Sequence, residues 1–212
     1  MMMVILMKKT LQKRLALLVT IILPLCMALY CVRSVANDVQ LTFTYTVVQG
    51  TCDVNAPGSL QLGPPEGVSD AGSLSGQNWK FLHPTPLTVT LSNCAGSGSP
   101  GVTPYLTLQM VPVTGGSADR QNKLFADSGA QGTGLGVAVS NIIDSQPTDG
   151  SNNNLVSVSS PRIATGEAGA TAINGPLTVW MALACGAVSD CTTAGQNAGT
   201  VTSTIKFAFE YQ

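Results

Sequence analysis

The chain has 212 residues, ten of them basic and eleven acidic, for a formal net charge of −1. It lacks the excess of basic charge that a nucleic-acid partner demands. It is rich in Gly, Ser, Thr, Val and Asn and poor in Lys, Glu and Arg, a balance that disfavours helices and suits strands joined by turns.

The first 36 residues read as an export signal. Lys8, Lys9, Lys13 and Arg14 form a positive start. An apolar run over residues 15–30 follows, interrupted by Thr20 and Pro24, and Ser34-Val35-Ala36 gives the small-x-small pattern of a cleavage site. Met7 serves equally well as the first residue. An uncleaved anchor is the rival reading, but a span needs about 20 apolar residues. Cys26 and Cys31 follow Leu25 and Tyr30, residues larger than those that usually precede a lipid-modified cysteine. Cleavage after Ala36 removes five of the ten basic residues and none of the eleven acidic ones, so residues 37–212 carry a net charge of −6. That length suits one domain with its own core. Its charge argues against nucleic acid or anionic membrane as a partner.

The first predicted strand follows at once. Over residues 39–48, Val39, Leu41, Phe43, Tyr45 and Val47 alternate with Gln40, Thr42, Thr44 and Thr46. Period two of this kind marks a strand with one apolar face. Further strands are predicted at 87–91, 105–113, 134–139, 155–158 and 177–184, between clusters of Gly, Pro and Asn. The last runs unbroken over 201–211. Val201, Ser203, Ile205, Phe207, Phe209 and Tyr211 make its apolar face, with Ser203 the one polar member, and the opposite face is polar except for Ala208. There is no internal repeat and no long linker. Many short strands with turns between them predict an all-β sandwich in one domain.

Beyond the signal four cysteines remain, Cys52, Cys94, Cys185 and Cys191, an even number that implies two disulfides in an exported chain. Three pairings are possible. Cys52–Cys94 with Cys185–Cys191 is favoured, the second because five intervening residues close easily across a turn. A first loop of about 40 residues stabilises by roughly 3–4 kcal/mol in the chain-entropy picture. No pair has zinc-site spacing, and His83 is the single histidine. No metal or other cofactor is expected.

Other candidates favour ordinary structure over chemistry. Gly132-x-Gly134-x-Gly136 lacks the helix and lysine of a phosphate loop. Residues 144–154 are rich in Asp and Asn but lack the spaced carboxylates and closing Glu of a calcium loop, so a solvated loop is expected. His83 has no nucleophile motif near it. Glu66, Glu167 and Glu210 belong to no carboxylate-pair motif. Trp79 and Trp180 fit a sandwich core better than a sugar platform. No catalytic residue is assigned, and the chain reads as a non-enzyme.

Several segments in order resemble subunits of bacterial chaperone–usher fimbriae. They are the alternating extension leading into Val47-Val48-Gln49-Gly50-Thr51-Cys52, and Leu87-Thr88-Val89-Thr90-Leu91-Ser92-Asn93-Cys94. They continue with Gly132-Thr133-Gly134-Leu135-Gly136-Val137-Ala138-Val139 and Leu177-Thr178-Val179-Trp180-Met181-Ala182-Leu183, and end with Ala198-Gly199-Thr200-Val201 opening a strand with penultimate Tyr211. The resemblance covers residues 37–212. It implies an incomplete immunoglobulin-like sandwich, missing its last strand and completed by a strand from another chain. A periplasmic chaperone would fill the gap first, and a neighbouring subunit's extension would replace it at an outer-membrane usher. Residues 37–46 would be the donor extension and 47–212 the pilin domain. Val39, Leu41, Phe43, Tyr45 and Val47 would be the donor side chains, and Val201, Ile205, Phe207, Phe209 and Tyr211 the strand bordering the acceptor groove. Burying five such apolar side chains is worth on the order of 10 kcal/mol before ordering costs. Cys52–Cys94 would be the family's usual disulfide, and the carboxylate of Gln212 would be held by basic chaperone residues. The product would travel through the periplasm to a cell-surface fimbria.

Three features depart from the pattern. Tyr45 stands where the family often has glycine, seven residues before the first cysteine. The extension is short, in the manner of a minor subunit. Cys185 and Cys191 are additional. A single-domain fimbrial adhesin or a secreted carbohydrate-binding sandwich is the alternative.

Overall fold

A computed structural model of the chain describes residues 51–63, 71–96, 100–172, 174–192 and 199–212. The expected signal over 1–36 and the expected donor extension over 37–46, with Val39, Leu41, Phe43, Tyr45 and also Val47, lie outside the described residues.

Among the described residues, seven strands form two antiparallel sheets. They are β1 (Thr51–Asn55), β2 (Leu82–Ala95), β3 (Pro104–Gln109), β4 (Gly136–Val139), β5 (Arg162–Ala164), β6 (Gly175–Ala184) and β7 (Lys206–Tyr211). One sheet has the order β1-β2-β6-β4 and the other β5-β3-β7. The core between them draws on both. Leu87, Val89, Leu91, Val137, Val139, Val179, Met181 and Leu183 come from the first sheet, and Leu106, Leu108 and Ile163 from the second. The fold is therefore mostly β, two curled sheets packed face to face around one main core.

The strands depart from simple alternation for local reasons. β2 runs well past the predicted 87–91 because β1 pairs its far end. Between Thr51 and Asp53 the register slips against Ala95 and Ser92, leaving an extra residue on β2. Asn93 absorbs it at φ 51°. Asparagine tolerates that left-handed backbone, and its Nδ2 donates to Asp53 Oδ2 at 2.8 Å. The predicted strand 105–113 leaves the β3 ladder after Gln109. Its last residues turn to a new partner: Val113 N–H donates to Leu124 O at 2.9 Å, and Ala126 N–H donates to Val111 O at 3.0 Å. The predicted strand 155–158 is reduced to isolated bridges, Ser140 with Leu155 and Ser157 with Ser160. Leu155 and Val156 are both buried, each in a different core cluster, so no period-two face forms there.

Gly136 opens β4 against a wall. A Cβ there would lie 2.8 Å from both Leu124 Cβ and Val113 Cγ1. We expect Gly136→Ala to cost roughly 1–3 kcal/mol by overpacking, read as a lower urea midpoint with an unchanged slope. An unchanged midpoint would show that the contact relaxes freely.

Both disulfides are present, Cys52–Cys94 and Cys185–Cys191. The first ties β1 to β2, and the second closes a tight loop after β6. That loop is fastened to the short helix α1 (Ala118–Lys123). Arg120, only 5% exposed, donates from Nε to Cys185 O at 3.0 Å, and from Nη1 to Thr114 O at 3.1 Å and Gly115 O at 2.7 Å. Asp190 completes the clasp. Its carboxylate accepts from Ser117 N–H and Ser117 Oγ–H, both at 2.7 Å, and from Ala187 N–H at 3.2 Å. Burial lowers the Arg120 pKa from its usual value, while the charge of Asp190 raises it.

Candidate acceptor groove

The edges of the two sheets show where the fold is closed and where it is open. The outer edge of β4 is covered. Phe125 and Val137 exchange N–H and C=O at 3.0 and 2.8 Å, and Val156 N–H donates to Val139 O at 2.8 Å. β5 is an edge of only three residues. β1 and β7 are the remaining edges, one from each sheet. Short or covered edges are the usual protection against unwanted strand pairing, and β7, six residues long, has neither among the described residues.

Beside the segment 199–207, which runs into β7, lies an open groove of about 990 Å³. Residues 57–62, which follow β1, form one wall. Val201, Thr202, Ser203, Thr204, Ile205 and Phe207 form the other, and Leu87, Val137, Met181 and Leu183 line it from the core strands β2, β4 and β6. The burial of residues 201–208 alternates half-buried and exposed, so Val201, Ser203, Ile205 and Phe207 turn inward, as their spacing predicts. Phe209 and Tyr211 lie on the same strand but do not line the groove. Their rings pack edge to face at 5.1 Å, and the Tyr211 hydroxyl accepts from Ala172 N–H at 2.9 Å.

Backbone parity decides which side of this wall is free. Thr103 and Gln212 exchange N–H and C=O at 2.7 and 3.0 Å. Alternation in an antiparallel ladder then directs the N–H and C=O groups of Glu210, Ala208 and Lys206 toward β3. The same side continues beyond β3, where Asp127 takes over. Its N–H donates to Thr202 O at 2.7 Å, and its carboxylate accepts from Thr204 N–H at 2.8 Å and Thr204 Oγ1 at 3.1 Å. The odd-numbered residues therefore direct their backbone groups to the opposite edge. There, among the described residues, no strand pairs with them.

One polar atom stands out on this wall. Ser203 Oγ is buried and has no hydrogen-bond partner among the described residues. A buried hydroxyl without a partner costs about 1–3 kcal/mol.

The other sequence candidates fall elsewhere. Trp79 is buried in a second core cluster, and Trp180 is half-buried on β6. In the Asp/Asn-rich loop, Asp149 Oδ1 accepts from Phe81 N–H at 2.9 Å, and Gly150 N–H donates to Trp79 O at 3.0 Å, so the loop is pinned to β2's approach. Gly132 lies within a 3-10 turn (Ser128–Thr133), Gly134 caps it at φ 75°, and Gly136 starts β4. His83 sits in the irregular start of β2 at φ 49°. Among the described residues, no three His, Cys, Asp or Glu side chains converge to hold a metal ion.

The alternation sets Val201, Ile205 and Phe207 on one apolar face, and those three side chains line the groove. The lining from the buried Leu87, Leu135, Val137, Met181 and Leu183 and the wall at 57–62 carry no such signal, since nothing local in those segments tells which core positions floor a groove. Comparison with protein-family models and with curated proteins finds no match for this chain.

Proposed function

We propose that this chain is a structural subunit of a surface fimbria, an incomplete immunoglobulin-like sandwich whose groove is filled by a strand from another chain. The observation that carries this reading is the apolar groove beside the unpaired edge of β7. A strand laid there would gain main-chain hydrogen bonds along β7 and bury apolar side chains over Leu87, Val137, Met181 and Leu183, which is recognition by strand addition. Two further features support it. The sequence ahead of Cys52 alternates apolar and polar residues at period two, and a segment with the pattern of an export signal precedes it. The partners are then a periplasmic chaperone, an outer-membrane usher and neighbouring subunits. No catalysis is involved.

The test is to purify the protein from the periplasm with and without a co-expressed fimbrial chaperone. Without one, we expect little soluble protein, in aggregates or multimers. A synthetic peptide of residues 37–49 added during refolding should rescue a soluble complex and raise its Tm by about 6–12 °C, the shift that about 3 kcal/mol of added stability gives. A stable, soluble monomer that ignores the peptide would overturn the reading.

A further inference from the structure

The orphan hydroxyl on the groove wall specifies its occupant more closely. We propose that the groove takes residues 39–47 of a second copy of this chain, in the register that sets Tyr45 opposite Ser203, with the Tyr45 phenol hydrogen-bonded to Ser203 Oγ. This rests on the reading of the groove as a strand acceptor.

Four constraints converge on that register. The first is polar. Ser203 is the single polar residue among the inward-facing Val201, Ser203, Ile205, Phe207 and Phe209, and its Oγ is buried without a partner. Tyr45 is the single residue with a polar group on the apolar face of Val39, Leu41, Phe43, Tyr45 and Val47. Tyrosine is the large apolar side chain that supplies a hydroxyl at its tip. The second is steric. Serine is the smallest side chain of its row, so a large residue fits opposite it, and alternating large with small is how facing layers fill space.

The third is the count. In an antiparallel pairing with Tyr45 opposite Ser203, Val47 meets Val201, Phe43 meets Ile205, Leu41 meets Phe207 and Val39 meets Phe209. Four of the five then lie over the groove-lining Val201, Ser203, Ile205 and Phe207, and Val39 lies past the groove over Phe209. A parallel pairing through the same two residues puts Leu41 against Gly199 and runs off the strand. Shifting the antiparallel register by two residues places Phe43 or Val47 opposite Ser203, and the hydroxyl stays unpaired.

The fourth is the backbone. The odd residues of 201–209 direct their N–H and C=O groups to the free edge, so each odd–odd pair is one that exchanges two hydrogen bonds. Between these pairs, on the outer face, Thr46 meets Thr202 and Thr44 meets Thr204, both favourable cross-strand pairs. Asp38 meets Glu210 at the end of the row, a like-charged pair that weakly opposes this register.

Tyrosine at this position therefore fits its own groove. A chain whose strand lacks a hydrogen-bonding group there leaves Ser203 unpaired and binds less well, so the pair also selects the partner.

The experiment uses the full chain co-expressed with a fimbrial chaperone and usher. Thr46→Cys and Thr202→Cys are combined in one chain, and the assembled material is oxidised briefly. The inferred register gives a ladder of covalent multimers. Thr46→Cys with Thr200→Cys or with Thr204→Cys gives at least tenfold less. A ladder at one of those positions overturns the register while leaving strand addition standing. A cross-link confined to monomers overturns the second copy as occupant. Failure of every pair to cross-link, with no multimers from the unmodified chain, removes the acceptor reading itself.

The polar contact is read separately. Tyr45→Phe should lower the yield of multimers about tenfold, and Ser203→Ala added to Tyr45→Phe should restore most of it, because neither partner then leaves a buried group unpaired. Equal yields from Tyr45→Phe and the unmodified chain would overturn the contact.

Discussion

Deleting residues 37–46 should abolish the chain's capacity to extend a fibre while leaving its groove able to accept a strand. The deletion removes four of the five apolar donor side chains, Val39, Leu41, Phe43 and Tyr45, and keeps all of Val201, Ser203, Ile205 and Phe207. The gross burial lost is on the order of 8 kcal/mol, far above what a strand-exchange equilibrium tolerates. The reciprocal variant is Ile205→Glu, which puts an unpaired carboxylate into the apolar groove at a cost of several kcal/mol. That chain should donate but not accept. Head-to-tail assembly needs both functions in each copy. Each variant alone should therefore give no multimers, and a mixture of the two should give dimers only. Sedimentation or denaturant-resistant gel bands of the mixture read this directly. Long multimers from the deletion variant would show that residues 37–46 are not the donor.

Arg120→Met should lower stability by roughly 3–5 kcal/mol, and Tm by on the order of 10 °C, in the strand-filled protein. The guanidinium donates to three carbonyls that belong to two distant segments, Thr114 and Gly115 before α1 and Cys185 at the second disulfide. Methionine fills much of the same space yet leaves those carbonyls, and the Asp190 carboxylate, without their positive neighbour. Arg120→Lys keeps the charge but loses the planar fork, so it should recover less than half of the loss. Gly116 explains why the site is so tight. Its φ is 80°, and a Cβ there would approach Arg120 Cδ and Asp190 Oδ1 at 2.8 Å. Thermal melts of the three proteins decide the matter. A loss under about 1 kcal/mol for Arg120→Met would mean that the clasp does not hold the loop.

The expected strand 201–211 shows how far local pattern reaches. Its parity holds over the whole length: the odd residues are half-buried, and the even ones are exposed as far as Ala208. The ladder itself covers only Lys206–Tyr211. β3 ends opposite Lys206 at Gln109, and the chain beyond it turns away to Leu124 and Phe125. Asp127 then supplies by side chain and backbone what a strand would have supplied. α1 and β5 were not expected at all. The helix is short and polar, and β5 is three residues long, so neither carries enough periodicity to be seen.

By itself the sequence determined the β class, the inward faces of the long strands and the even set of cysteines. Each of these follows from spacing along the chain: period two sets a face, and two pairs of thiols close loops. The tertiary structure decided the sheet orders, the free edge and the groove. Leu87, Val137, Met181 and Leu183 come from three strands, and only their packing together shows that these buried side chains form the floor of the groove. Ser203 belongs to both accounts. Its place in the alternation was legible as the one polar residue of an apolar row. That its hydroxyl is buried and unpartnered could come only from the folded chain, because burial is set by residues far away in sequence.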